Sequence, residues 1–152
     1  MRLLTRQFAV TLAFIGAAFM QPLQAQNSLE RGDLVLHYSA IATTTLTPEV
    51  ARQYAITRSS GRALLNVSLM RKQADGRQMA IRAKVTAVAT NLTGQRQDLA
   101  VREVHEGDAI YYLAEPRVGD KETLNFQLSA LPEGGSEAIT ASFQQEFFAP
   151  QL

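Results

Sequence analysis

The side chains best suited to metal ligation or general-base chemistry are two histidines, His37 and His105, with no cysteine anywhere to join them. A zinc or copper site needs three or four ligands drawn together. Each histidine sits in an alternating run, Tyr38 beside His37 and Val104 and Glu106 flanking His105. Neither has a second ligand at the close spacing of a helix- or loop-borne site. Met70 and Met79 add soft donors that copper accepts, so weak copper binding through a histidine and a methionine is one reading. Met79 also falls on an inward phase and reads first as core. Nucleophilic catalysis would need a serine, a histidine and a carboxylate in contact. Ser59-Ser60-Gly61 is not a nucleophile elbow, because G-x-S-x-G is absent. Gly134-Gly135 lacks the Lys-Ser/Thr and helix of a phosphate loop. Glu103, Glu106 and Asp108 surround one turn and read as a solvated hairpin tip.

Recognition is the other chemistry on offer. Residues 46–62 hold Arg52, Tyr54, Arg58 and Arg62, and Tyr and Arg are favoured binding anchors. Loops on a rigid scaffold commonly carry function, which makes these four an interaction surface. The competing and favoured role for Tyr54 is structural, as a plug over one end of the core.

The elements that must position these residues are mostly strands. Residues 62–91 form two alternating runs around Ala74-Asp75-Gly76. Leu65, Val67 and Leu69 share one face of the first run. Met79, Ile81, Ala83, Val85 and Ala87 share one face of the second, opposite Arg82, Lys84 and Thr86. Period two over this length signals strands with one buried face. A three-residue loop pairs Leu69 with Ile81, Val67 with Ala83 and Leu65 with Val85, and places Gly76 where a left-handed residue is required. A one-residue slip would invert every side chain, so burial enforces the register.

Further strands are expected over 33–42, 97–106, 109–115, 121–131 and 138–148. Both phases of 33–42 are partly apolar, which leaves its inward face open. Gly107-Asp108 suits a type II′ turn, and a phase change between Val101 and Val104 suggests a bulge. Phe126 and Phe143 fall on inward phases. Thr47-Pro48 is a helix start, with Thr47 as cap and Pro48 at the first helical position. Val50 and Tyr54 then share a face, and the helix ends near Tyr54. The sum is an all-β fold: a seven-stranded antiparallel immunoglobulin-like sandwich with one short helix between the first two strands. A small barrel is the alternative.

Length and composition set the setting. The 152 residues suggest one folded unit after a leader. Residues 1–25 read as a cleaved secretory signal, with Arg2 and Arg6, an uncharged run from Phe8 to Met20, and Ala25 before the cut. Residues 26–152 then form the single β-sandwich domain, and no transmembrane segment is expected in them. Removing the leader takes two of 15 basic residues and none of the 14 acidic ones, leaving a formal charge of −1. That balance offers no footprint for nucleic acid. Zero cysteines exclude disulfides and thiolate metal sites.

Leu46-Thr-Pro-Glu-Val-Ala, Tyr54-Ala-Ile-Thr-Arg-Ser, Arg62-Ala-Leu-Leu-Asn-Val-Ser and the closing Phe143-Gln-Gln-Glu-Phe-Phe resemble domain of unknown function 4426, small exported proteins of Gram-negative bacteria. The resemblance spans roughly residues 28–150. It implies a periplasmic setting and brings no activity or catalytic residue. In that setting the glycosylation sequons at Asn66 and Asn91 read as chance. The expectation is a periplasmic binding or interaction module, with no catalysis and no cofactor, whose partner could be an envelope protein. Weak copper binding, or an enzyme with a site assembled from loops, stands as the alternative.

Overall fold

The computed structural model describes residues 27–148. The expected leader and its cleavage site lie outside them. Among the described residues, ten strands form two antiparallel sheets. They are β1 (Asn27–Arg31), β2 (Leu34–Ala42), β3 (Ala63–Lys72), β4 (Gln78–Ala80), β5 (Ala83–Asn91), β6 (Arg96–Asp98), β7 (Arg102–Glu106), β8 (Ala109–Ala114), β9 (Glu122–Pro132) and β10 (Ile139–Phe147). A 3-10 turn (Thr43–Thr45) and one helix, α1 (Pro48–Gln53), join β2 to β3. The larger sheet runs β1-β2-β3-β8-β7, with β4 also on β3. The smaller runs β10-β9-β5-β6.

The expected count of seven strands is three short, and each difference has a cause. Residues 27–31 carry no apolar alternation because β1 is exposed throughout; only its backbone ladder to β2 makes it a strand. The runs 78–91 and 97–106 each divide in two, because the chain passes there from one sheet to the other. Alternation reports which side faces the core and is silent on which sheet a residue joins. The phase change between Val101 and Val104 is therefore the end of a crossing and not a bulge.

The central hairpin shows this most clearly. Met70 pairs with Ala80, Arg71 with Met79 and Lys72 with Gln78. Ile81 N–H donates to the Leu69 carbonyl at 3.0 Å, which is the expected register, and Gly76 has φ +85°. Beyond Ile81 the expected pairs do not form. Val67 lies against Tyr112 and Leu65 against Ala114 of β8, while Ala83 and Val85 pair with Pro132 and Ala130 of β9. The Ala83 N–H donates to the Tyr112 hydroxyl at 2.7 Å, fixing the crossing. Met79, expected in the core, is 58% exposed. It stands opposite Arg71, beyond Leu69, the last buried residue of β3.

Both sheets contribute to one core, with Leu36, Leu65 and Leu69 from the larger and Leu124, Phe126 and Ile139 from the smaller. Phe126 is fully buried and stacks on half-buried Phe143, ring centroids 4.8 Å apart. Phe143 in turn meets Tyr38 of the facing sheet at 4.9 Å. At the β7–β8 turn, Gly107 takes φ +56° as the first of two loop residues, as a type II′ hairpin needs.

Candidate functional site

The connection between β2 and β3 is the part of the chain that does most beyond making sheet. Thr47 Oγ1 accepts from Val50 N–H at 3.3 Å, and Pro48 opens α1. At the other end Ala55 takes φ +52°. Ile56 N–H donates to the Ala51 carbonyl at 2.8 Å and Ala55 N–H to the Arg52 carbonyl at 3.2 Å. This is a Schellman closure with alanine where glycine is usual. It turns Ile56 under the helix beside Ala51. The return path is closed by Thr43, fully buried. Its hydroxyl lies 3.0 and 3.1 Å from the Ser59 and Arg62 carbonyls and accepts from Ser59 N–H at 2.9 Å.

So held, α1 lies on the outer face of the larger sheet and not over an end of the main core. There it makes a second apolar cluster from Ala51, Ile56, Leu64 and Leu113, flanked by Ile41, Leu46, Tyr54, Val104 and Tyr111. A six-residue helix is unstable alone, so this packing holds it. The fit is incomplete. Between helix and sheet is a half-open cleft of about 300 Å³, at the low end of the roughly 300–1,000 Å³ of small-molecule sites.

Its apolar walls are Ile41, Leu46, Val50, Ile56, Leu64 and Leu113. Its polar groups are Ser39 and Asn66 on the sheet, the rings and hydroxyls of Tyr54 and Tyr111, and Glu106 at the edge. Asn66 Oδ1 is buried with no hydrogen-bond partner. The Tyr54 hydroxyl donates to the Glu106 carboxylate, and its carbonyl accepts from Arg102. The hydrogen bond to Glu106 pushes the Tyr54 phenol up to about 12, with burial and the Glu106 charge acting in the same direction.

The four expected interaction residues each have a different partner. Arg52 is exposed and pairs with Glu49 at 3.5 Å. Arg58 donates back to the Thr44 carbonyl at 3.2 Å. Arg62 reaches Glu115 at 3.8 Å from the start of the return strand. Tyr54 alone faces the cleft. The cleft residues Ser39, Asn66, Glu106 and Tyr111 escaped sequence reasoning. A signal for them existed, because β2 is apolar on both phases, and Ala63-Leu64-Leu65 and Tyr112-Leu113-Ala114 are buried on successive residues. A strand buried on both faces must be covered on both.

The histidines do not share a site. His37 has the phase of Ser39, on the outer face, where its Nε2 meets Gln78 Oε1 at 3.0 Å. His105 has the phase of Glu103, opposite core-facing Tyr112, on the other face with β3 and β8 between. Its Nε2 lies 2.5 Å from Glu103 Oε1. That contact, with Arg82 at 3.2 Å and the Tyr112 hydroxyl, holds the Glu103 carboxyl below its usual range despite partial desolvation. Among the described residues no three His, Cys, Asp or Glu side chains group as a metal site, and no helix is long and apolar enough to cross a membrane.

A family model, domain of unknown function DUF4426, matches residues 28–150. A crystal structure of a DUF4426 family protein from Pseudomonas aeruginosa PAO1 is 33% identical, covers 85% of this chain and 99% of that one, and superposes with a TM-score of 0.71. FetP of uropathogenic Escherichia coli strain F11, as isolated after expression in the periplasm, is 11% identical over 84% of this chain and 96% of its own, with a TM-score of 0.58. A copper-bound FetP variant gives 10%, 84%, 93% and 0.59. The likeness to FetP is one of fold. No curated protein matches.

Proposed function

The chain belongs to the DUF4426 family, and from that premise we propose that it is an exported, non-catalytic binding protein of immunoglobulin-like sandwich type whose site is the cleft beneath α1. The observation that carries this reading is Asn66 Oδ1, buried on the cleft floor without a partner. An unpaired buried polar group costs about 1–3 kcal/mol. A leucine there would extend the Leu64–Leu113 cluster at no such cost. A polar group kept at that expense, under a lid that leaves room above it, is what a ligand site needs. The cleft holds a serine hydroxyl but neither histidine, which favours binding over nucleophilic chemistry.

The charged start, apolar run and Ala25 support release to the periplasm. Mass spectrometry of an osmotic-shock fraction should find a chain about 25 residues short; full-length chain in washed membranes would contradict export. The binding reading is tested by amide NMR during titration with small amphiphiles. Shifts should centre on Ser39, Leu64, Asn66 and Tyr111, and shifts confined to other surfaces would overturn it. Copper is the second reading. It rests on His37 and Met70 sharing the outer face, opposite Ser68 and Val35 of the neighbouring strands. Calorimetric copper titration decides it, a stoichiometric site abolished by His37→Ala being the supporting result.

A further inference from the structure

The chemistry of the cleft also indicates its ligand, an inference that rests on the binding reading above. Among the lining residues Glu106 is the one side chain charged at neutral pH; the remaining polar groups are Ser39, Asn66, Tyr54 and Tyr111. No lysine, arginine or histidine lines it. Arg102, four residues before Glu106 on β7, is turned to the Tyr54 carbonyl. A carboxylate or phosphate ligand would meet the like charge of exposed Glu106 with no basic side chain among the lining residues, an arrangement that selects against it.

A protonated primary amine meets the opposite situation. It has three N–H donors and no acceptor. Glu106 Oε2 takes the Tyr54 hydroxyl, which leaves Oε1 for the ammonium. The Ser39 and Tyr111 hydroxyl oxygens are further acceptors among the lining side chains, beside Asn66, whose buried Oδ1 has no partner. The rings of Tyr54 and Tyr111 favour a cation near their faces. Beyond this polar side stand six aliphatic side chains that no ammonium could use but a hydrocarbon body would fill.

We infer that the cleft binds small primary amines carrying an apolar chain or ring, with the ammonium at Glu106 and the apolar body between α1 and the sheet. The test uses n-octylamine, 1-octanol and octanoate with the folded protein at neutral pH, read by calorimetry and amide NMR. Octylamine should bind at least about tenfold tighter than octanol, and octanoate more weakly than either. Glu106→Gln should bring octylamine down to the level of octanol measured on the same variant. Its amide spectrum and its affinity for octanol show that the cleft is still formed. Octanoate binding as tightly as octylamine, or an amine preference surviving in Glu106→Gln, would overturn the amine inference and leave the cleft standing as an apolar site. Failure of all three probes to bind the native protein would overturn both.

Discussion

The hydroxyl of Tyr54, the residue that ends α1, donates to the carboxylate of Glu106 on β7 and so ties the helix to an edge strand fifty-two residues away. The tie forms one rim of the cleft. Its strength can be read from the phenol itself.

The Tyr54 phenol should deprotonate only at high pH, raised from 10.0 to about 12 chiefly by its hydrogen bond to Glu106. Because the folded pKa lies above the unfolded one, the stabilisation is complete below about pH 10 and disappears as pH rises through about 12. Ultraviolet titration of the native protein against Tyr54→Phe isolates this group from the other three tyrosines. Glu106→Gln should return it toward the ordinary value. A Tyr54 that titrates normally in the native protein would mean that α1 is not tied to β7.

The helix also carries a correctable strain. Ala55 sits at φ +52°, where a residue with a Cβ is disfavoured by roughly 1–2 kcal/mol and glycine is not. Part of the gain is lost to the extra freedom of glycine in the unfolded chain. Ala55→Gly should therefore stabilise by about 0.5–1 kcal/mol in denaturant unfolding. A loss of stability would show that Ala55 is right-handed and that the Schellman closure does not form.

How much of this was legible in the sequence depends on what each pattern encodes. Thr47, Pro48 and the Val50–Tyr54 spacing specified α1 to within a residue, because capping and face-sharing are local. Gly76 and the Leu69–Ile81 register were legible for the same reason. The switch of sheet after Ile81 was not. Ala83 is inward-facing in either arrangement, and what decides between β3 and β9 is competition from Tyr112 and its neighbours on β8, about thirty residues on. Thr43 was hidden because its three partners are backbone groups. The cleft was hidden because its polar residues come from β2, β3, β7 and β8, whereas the arginines that looked like a cluster in residues 46–62 point to separate neighbours.

At acid pH the weak point should be the β7 edge. Glu103 is held below its usual range by His105 first, then by Arg82 and Tyr112, against partial desolvation. A depressed folded pKa gives stability that is present above the unfolded value, near 4.5, and lost as pH falls through the folded one. Glu103→Gln should flatten the acid limb of a stability-against-pH curve by slightly lowering the neutral plateau and leaving the acid end unchanged, a small effect because exposed ion pairs contribute little. An unchanged acid limb would show that Glu103 has no partner in the folded protein.

The sharpest prediction concerns Asn66, where stability and function should move in opposite directions. Its Oδ1 is buried and unpaired, and the residue lines the cleft beside Leu64 and Leu113. Leucine shares the branching of asparagine, is the bulkier of the two, and has no polar group to desolvate. Asn66→Leu should therefore raise stability by about 1 kcal/mol or more, the lower part of the range for relieving an unsatisfied buried group. The same change removes an acceptor and fills part of the floor, so binding of octylamine should weaken by about tenfold or more. Residues kept for packing do not behave this way: replacing them costs stability. Residues kept for a ligand often do, because a site holds groups that the fold alone would discard. Denaturant unfolding and calorimetry on the same preparation give both numbers. If Asn66→Leu destabilises the protein by more than about 1 kcal/mol, the carboxamide already makes a worthwhile bond in the folded chain, and the cleft loses the observation on which its reading as a binding site rests.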